Sequence, residues 1–590
     1  MFYYKNSINF YVYTLFFEIL YSIETMENTS QNNIFNLRKE QRECIDLIIK
    51  EIEVNDIENI ILDAPTGSGK SIIAMYLSNY FFEKHQKTGY ILTSNLALQD
   101  QYENDFNNFQ QTNFISLKGY QNYTCSVSNT SVKDGFCRTH DLPSDVTKKL
   151  DCYPTCSYYK RREGAIKSPT ALLNYQYWLV QKNFVGIKYG STPFKKRDFM
   201  IFDEAHNIDM ILHNHFISFL NNDIDVQLKK LYNIFKKYQI NFIPVFFNSD
   251  YNYLRYNNTT ADHITKLNEI YNNCKNIRNA CNAVKDYYSV NVNLKNPNMS
   301  PTLIEEISVI NGFLDFVCKL EDFLHYIVDP FELQNIVITK NTDSIHYNSV
   351  DSRKYFKLFF HRHCPPIKIF MSATWGSNFG FVIKNYSLDP VKTRVISVHP
   401  NWNFDKSPVV FLKKSGEMTY KKKVNSISRN IALLRDVLET HKSENGVIHT
   451  VNYEISNLIK EKVNDSRLIF YSNSKEKENA IENFLTNGGV LVGPSHFEGM
   501  NFEGDSSRFQ ILMKVPYMTL ADSFVAEKSK RNPMWYNWKT FLTILQGVGR
   551  SVRNDKDWCK TYIIDGSFER FFDTNYTFFS KEFQDRLRYL

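Results

Sequence analysis

The stretch Ile60-Ile61-Leu62-Asp63-Ala64-Pro65-Thr66-Gly67-Ser68-Gly69-Lys70-Ser71 decides how the rest of the chain is read. An apolar run short enough for a strand enters a loop that fits G-x-x-x-x-G-K-[ST], with Ala64 where the first glycine is usual. Gly67 and Gly69 can take the backbone angles that turn successive N–H groups toward one phosphate. On this reading Ala64 to Gly69 cradle ATP, Lys70 reaches its β- and γ-phosphates, and Ser71 offers a hydroxyl to Mg²⁺. The run Ile72 to Phe82 reads as a helix, whose first turn adds the positive end of its dipole.

A magnesium-bound phosphate needs an acidic partner, and an attacking water needs a base. Phe199-Met200-Ile201-Phe202 reads as a second strand and ends in Asp203-Glu204-Ala205-His206, about 130 residues after the loop. Asp203 would hold Mg²⁺ through its water shell, Glu204 would orient or deprotonate the water, and His206 would sense the γ-phosphate. Near the C-terminus, Gln546-Gly547-Val548-Gly549-Arg550-Ser551-Val552-Arg553 sets Arg550 and Arg553 one helical turn apart. Guanidinium groups so spaced can face one transferring phosphoryl group. Met371-Ser372-Ala373-Thr374 follows the apolar Ile367 to Phe370 and reads as a loop coupling ATP to a second site. The candidate catalytic residues are Lys70, Asp203, Glu204, His206, Gln546, Arg550 and Arg553.

The chain is long enough to carry all of this, since 590 residues suit roughly three or four domains. A composition of 43% hydrophobic and 23% charged residues excludes collagen-like, low-complexity and wholly disordered chains. The net charge of +7 permits a nucleic-acid partner without demanding one. Ten cysteines are too few for a secreted disulfide scaffold. Ile8 to Ile23 is apolar, but Glu18 interrupts it and it falls short of the ~20 residues a spanning helix needs. Residues 1–26 therefore read as an extension, disordered or not native. The expectation is a soluble, intracellular protein with no membrane partner.

The order of motifs, from the glycine-rich loop through D-E-A-H and S-A-T to Q-x-x-G-R-x-x-R, resembles superfamily 2 helicases. More narrowly it resembles the DinG/XPD branch, the iron–sulfur DNA helicases. Arg38 and Gln41 match the R-x-x-Q element that in this family contacts the adenine. Ile91 to Asn95 with Leu98-Gln99-Asp100-Gln101 matches a strand and helix start that touch the nucleic-acid backbone. Asn174-Tyr175 matches the segment before the D-E-A-H strand. Phe497 to Gly504 resembles E-G-[IVM]-D-F-x-G, with Asn501 in place of Asp. The resemblance implies an α/β fold of two RecA-like parallel-sheet domains. The first would cover 27–207 and a return at 363–377, with an iron–sulfur insert at about 120–160 and a helical Arch-like insert at 208–362. The second would cover 378–590.

Cys125, Cys137, Cys152 and Cys156 fall where that family carries its cluster, spaced C-x11-C-x14-C-x3-C. Four thiolates satisfy a [4Fe–4S] cluster, or alternatively tetrahedral zinc, and a metal-free remnant is the third reading. The single close pair favours the cluster. Tyr158, Lys160, Arg161 and Arg162 follow, a pattern in which bases stack on aromatic rings beside phosphate-binding charges. The implied activity is an ATP-dependent DNA helicase moving 5′-to-3′ on single-stranded DNA and opening tailed duplexes, for which a monomer suffices. The alternatives are an RNA-directed or remodelling ATPase without strand separation, and a non-catalytic nucleic-acid-binding protein.

Overall fold

A computed structural model describes residues 37–108, 113–139, 147–148, 150–185, 192–215, 218–221, 224–240, 248–256, 259–291, 301–326, 333–340, 344–398, 404–494, 504–548 and 557–590. Five strands come first: β1 (Asn59–Asp63), β2 (Gly89–Thr93), β3 (Phe114–Ser116), β4 (Thr170–Asn174) and β5 (Phe199–Phe202). Then β6 (Ser218–Asn221), β7 (Ile336–Lys340) and β8 (Ser344–Ser349) lie within the long insert, and β9 (Ile367–Ser372) and β10 (Thr393–Ser397) follow it. The first lobe is a parallel sheet in the order β10-β1-β9-β5-β2-β4-β3. Its central strands are apolar throughout because both faces are covered. In β1, Ile60 and Leu62 pack with Ile45, Ile48, Ile73 and Ala74 from the helices Lys39–Glu53 and Lys70–His85, while Ile61 enters the core on the other face.

The boundary expected at 377/378 moves. Thr393–Ser397 pairs with β1 along its whole length, so the first sheet takes in residues up to Ser397. As an edge strand β10 is buried only at Thr393 and Ile396, and its weak apolar pattern hides it from the sequence. The insert also differs from an all-helical one. The helices Ile224–Lys237, Asn248–Tyr256, Thr260–Asn291 and Pro301–Tyr326 build their own core around Leu228, Ile270, Val284 and Val317. Beside them β6, β8 and β7 form a three-stranded antiparallel sheet. The helix Ile208–His215 stays with the first lobe, whose core takes in Ile208 and Leu212.

The second lobe comprises β11 (Val409–Phe411), β12 (Gly446–His449), β13 (Leu468–Phe470), β14 (Val490–Gly493), β15 (Phe509–Leu512), β16 (Lys560–Ile563) and β17 (Leu587–Tyr589). They form a second parallel sheet ordered β13-β14-β12-β15-β16-β11-β17. One core cluster joins the lobes, with Phe370 and Trp375 of the first packed into the same group as Trp535, Trp538 and Phe541 of the second. Gly376 sits in that seam at φ +74°, where a Cβ would lie 2.4 Å from the Phe541 ring and 2.8 Å from the Phe578 carbonyl oxygen. Among the described residues no helix is long and apolar enough to cross a membrane.

Candidate active site at the seam of the two lobes

After β1 the backbone turns through Gly67 and Gly69, both at φ +81°, and Gly69 caps the Lys70–His85 helix. A Cβ on Gly69 would fall 2.2 Å from Nε2 of Gln41, so this position demands glycine for room as well as angle. Gln41 stands there because its Nε2 donates to the Ser68 carbonyl at 2.8 Å, and Arg38 donates from Nη2 to the Gly67 carbonyl at 2.8 Å. The R-x-x-Q pair thus takes up two loop carbonyls. Ala64 is fully buried and absent from the positive-φ residues, and its N–H donates to the Ser372 carbonyl at 3.0 Å. The position therefore does not require a glycine. Pro65 accepts at its carbonyl from the Ser68 N–H at 3.1 Å, closing a turn around Thr66. The buried Ser68 hydroxyl has no hydrogen-bond partner among the described residues, and Ser71 hydrogen-bonds the Asp105 carboxylate.

Two strand ends, those of β1 and β5, bring the acids to the same loop. Burial pushes the Asp203 carboxyl up to about 6, with Glu204 adding to the effect and Lys70 opposing it. Tyr102 donates its hydroxyl to Asp203 Oδ2 at 2.9 Å, the Glu204 N–H donates to Oδ1 at 2.8 Å, and Tyr175 donates to the Asp203 carbonyl at 2.9 Å. Asp63 is likewise pushed up to about 7, by burial and then by Glu582 of the second lobe, against Lys70. The buried Asp203 and half-buried Asp63 carboxyls, held this high beside one lysine, form a site short of positive charge. A divalent cation is what such a donor set can hold. Glu204 lies at φ 49°, a left-handed conformation costing about 1–3 kcal/mol for a non-glycine residue.

His206 connects the rest. Its Nδ1 lies 2.8 Å from Ser372 Oγ, 3.3 Å from Thr374 Oγ1 and 3.3 Å from Glu204 Oε2, and its Nε2 lies 2.8 Å from Nε2 of Gln546. D-E-A-H, S-A-T and the glutamine of Q-x-x-G-R-x-x-R, scattered over the sequence, meet on one buried imidazole. Arg550, Arg553 and the segment Phe497 to Glu503 lie outside the described residues.

In the insert between β3 and β4, Cys125, Cys137, Cys152 and Cys156 line one cavity together with Val132, Leu150, Tyr153 and Tyr159. Burial pushes the Cys125 thiol up, but hydrogen bonds from Ser128 and Val127 outweigh it and leave the thiol below its ordinary value. Burial raises Cys137, with partial relief from the Tyr159 hydroxyl 3.6 Å away. By contrast Cys44, Cys274, Cys281 and Cys364 lie buried away from this cavity, and burial pushes their thiols up to about 12. Among the described residues no group of three or more His, Cys, Asp or Glu side chains is gathered closely enough to hold a single ion.

Known proteins resemble this chain in sequence and in fold. A family model for the helicase C-terminal domain matches residues 436–585, and one for the res subunit of type III restriction enzymes matches residues 34–242. A probable ATP-dependent helicase of Methanocaldococcus jannaschii is 21% identical over 595 residues, covering 87% of this chain and 89% of its own. The Xpd4 structure from S. tokodaii superposes with a TM-score of 0.55 at 14% identity, covering 94% of this chain and 100% of that one. A second XPD helicase structure gives 0.56 at the same identity and coverage. The two helicase-type domain models and the Methanocaldococcus jannaschii relative support an ATP-dependent helicase, and the superpositions show that the chain shares the fold of the XPD structures.

Two expectations about nucleic-acid contacts in this helicase need correcting. Tyr158 is buried, 3.1 Å hydroxyl to hydroxyl from Tyr177 and edge-on to Tyr123, so it offers no ring to a base. The helix Ser157–Lys167 turns Tyr158, Tyr159 and Ala165 inward and leaves Lys160 and Arg161 exposed; Arg161 pairs with Glu103 at 2.5 Å and Arg162 hydrogen-bonds Tyr177. Gln99 is buried too, donating to Ser116, Leu117 and Leu172 rather than facing solvent. Conversely, the sequence assigned no role to Tyr102 or Asp63. Only Asp63, beside the glycine-rich loop, had a local signal that could have been used.

Proposed function

We propose that this ATP-dependent helicase acts on DNA, moving 5′-to-3′ along a single strand and separating duplexes, with a [4Fe–4S] cluster in the cysteine cavity. The observation that carries the reading is His206, one imidazole touching the first lobe's Ser372 and Thr374 and the second lobe's Gln546. Residues 64–71 bind and orient the triphosphate, with Lys70 on the β- and γ-phosphates and the Ser71 hydroxyl offered to Mg²⁺. Glu204 accepts a proton from the attacking water. His206 registers the state of the γ-phosphate and passes it through Gln546, while Arg550 and Arg553 stabilise charge on the transferring phosphoryl group. Ser71 and Asp203 would hold Mg²⁺, which would supply positive charge to the phosphate oxygens and the carboxyls around them.

The four thiols line one cavity and only Cys152 and Cys156 form a close pair in sequence, which supports a cubane with one thiolate per iron over tetrahedral zinc. Cys125, Cys137, Cys152 and Cys156 would hold it, and it would staple four otherwise loosely connected segments. The test is ATP hydrolysis measured with single-stranded DNA and with RNA, followed by unwinding of duplexes bearing a 5′ or a 3′ tail. Stimulation by DNA and opening of the 5′-tailed duplex are expected. Stimulation by RNA alone, or stimulation without unwinding of either duplex, would favour the remodelling ATPase. Iron and zinc analysis after anaerobic purification tests the cluster, with about four irons per chain expected.

A further inference from the structure

The helix Pro533–Val548 of the second lobe carries more than Gln546. Trp535, Trp538, Lys539 and Gln546 recur at helical spacing along one face. Trp535 Nε1 donates to Asp209 Oδ2 at 2.8 Å, and Lys539 Nζ donates to Asp209 Oδ1 at 2.6 Å and to the His206 carbonyl at 3.0 Å. Trp538 Nε1 donates to the Trp375 carbonyl at 3.2 Å, and Trp375 Nε1 in turn donates to the carbonyl of Leu62, on β1 just before the glycine-rich loop. The Asp209 side chain is 0% exposed and that of Lys539 9%, and Lys528 lies 4.3 Å over the Trp535 ring at the same place. Burial would raise the Asp209 carboxyl, yet Lys539 and then Lys528 outweigh it and hold it charged.

A buried ion pair is a poor device for stability alone, because well-packed apolar side chains of equal volume do as well or better. What this pair does well is fix position. The first lobe holds the His206 imidazole through Ser372 and Thr374, while the second lobe holds the backbone of the same residue through Lys539. Trp535 and Trp538 flank the contact, and both charged side chains are almost closed to water. We propose that Asp209 and Lys539 form the joint through which nucleotide-driven movement of the D-E-A-H turn reaches the second lobe. They are positioning residues and touch no substrate. The inference rests on the ATPase reading above and deepens it.

The test uses the full chain and two variants. The double variant Asp209→Leu/Lys539→Met removes both charges together and leaves neither uncompensated. Lys539→Arg keeps the charge and alters the reach to two acceptors at once. Four quantities are followed: melting temperature, KM for ATP, stimulation of kcat by single-stranded DNA or RNA, and the change in tryptophan fluorescence on adding a non-hydrolysable ATP analogue. The double variant is expected to melt within about 4 °C of wild type and keep KM within about twofold. Its stimulation should fall about tenfold or more and its fluorescence change should vanish. Lys539→Arg should lie between the two. Wild-type stimulation and fluorescence change in both variants would reduce the pair to a structural tie and overturn the joint. If the double variant does not fold, Lys539→Arg decides alone, and wild-type coupling in it overturns the joint. A wild type that DNA and RNA fail to stimulate, but whose fluorescence responds to the analogue, would sink the proposed function instead and leave the joint to be judged on fluorescence. Neither response in the wild type overturns both.

Discussion

The seam around His206 and the cavity around the four cysteines are both buried collections of reactive side chains, built in opposite ways. At the seam, polar groups are spent on one another: His206 on Ser372 and Gln546, Asp203 on Tyr102, Asp209 on Lys539. In the cavity, the four thiols share a lining with the apolar Val132 and Leu150, and the Tyr159 hydroxyl and Ser128 are among their polar partners. The first arrangement is already a closed network whose pieces move together. The second is a lining of thiols and apolar side chains around one cavity.

Breaking the seam at its charge centre should have the largest effect. Lys70→Ala removes the cation opposite Asp63 and Asp203 and is expected to lower ATP turnover by at least about a hundredfold; near-normal turnover would unseat the whole assignment. The cavity should be indifferent, with unchanged iron content in the same variant. The reciprocal change, Cys125→Ser, should remove the iron and its absorption near about 400 nm. ATP hydrolysis without nucleic acid should suffer far less in it than in Lys70→Ala. A Cys125→Ser protein that keeps its iron would contradict the ligand set.

Within the seam, His206→Ala and Gln546→Ala are each expected to lower kcat by about 10- to 100-fold with KM for ATP nearly unchanged. Because the two share one hydrogen bond, the double variant should be little worse than either single one, and full additivity would mean they act separately. A smaller effect is expected at the seam's far edge, where His213 stacks on Phe524 with ring centroids 3.6 Å apart. Burial, then Lys528, lowers the proton affinity of His213 from 6.5 to about 3. The unfolded chain therefore binds the extra proton between those values, so stability should fall as pH drops below about 6.5, by about 1.4 kcal/mol per pH unit. Comparing unfolding midpoints at neutral and mildly acidic pH should show a shallower loss in His213→Phe. An unchanged slope would rule out this histidine as its source.

How much of this was legible in the sequence follows from how local each signal is. The glycine-rich loop, the D-E-A-H turn and the strands at 60–63, 199–202, 446–449 and 490–493 announce themselves within a dozen residues, because strand burial and turn chemistry are written locally. The cysteines were legible as a set and they do line one cavity. The contacts Trp535 to Asp209 and Trp538 to Trp375 join positions 326 and 163 residues apart. No periodicity encodes such pairs. Tyr158 was misread because a tyrosine next to lysines looks the same whether the helix turns it inward or outward, and only the packing against Tyr123 and Tyr177 decides.

The strand β10 has a mechanical side. The chain leaves the first lobe through it, and the Val398 N–H donates to the carbonyl of Asp63 at 2.8 Å, at the mouth of the glycine-rich loop. β10 and β1 run parallel over five paired residues, so a pull along the connection between lobes loads that pairing lengthwise, in shear. Hydrogen bonds in shear share the load and must give way together, whereas bonds peeled from one end fail in turn. The tether is thus anchored like a lap joint, and tension generated by the second lobe arrives at the very strand that carries the phosphate loop.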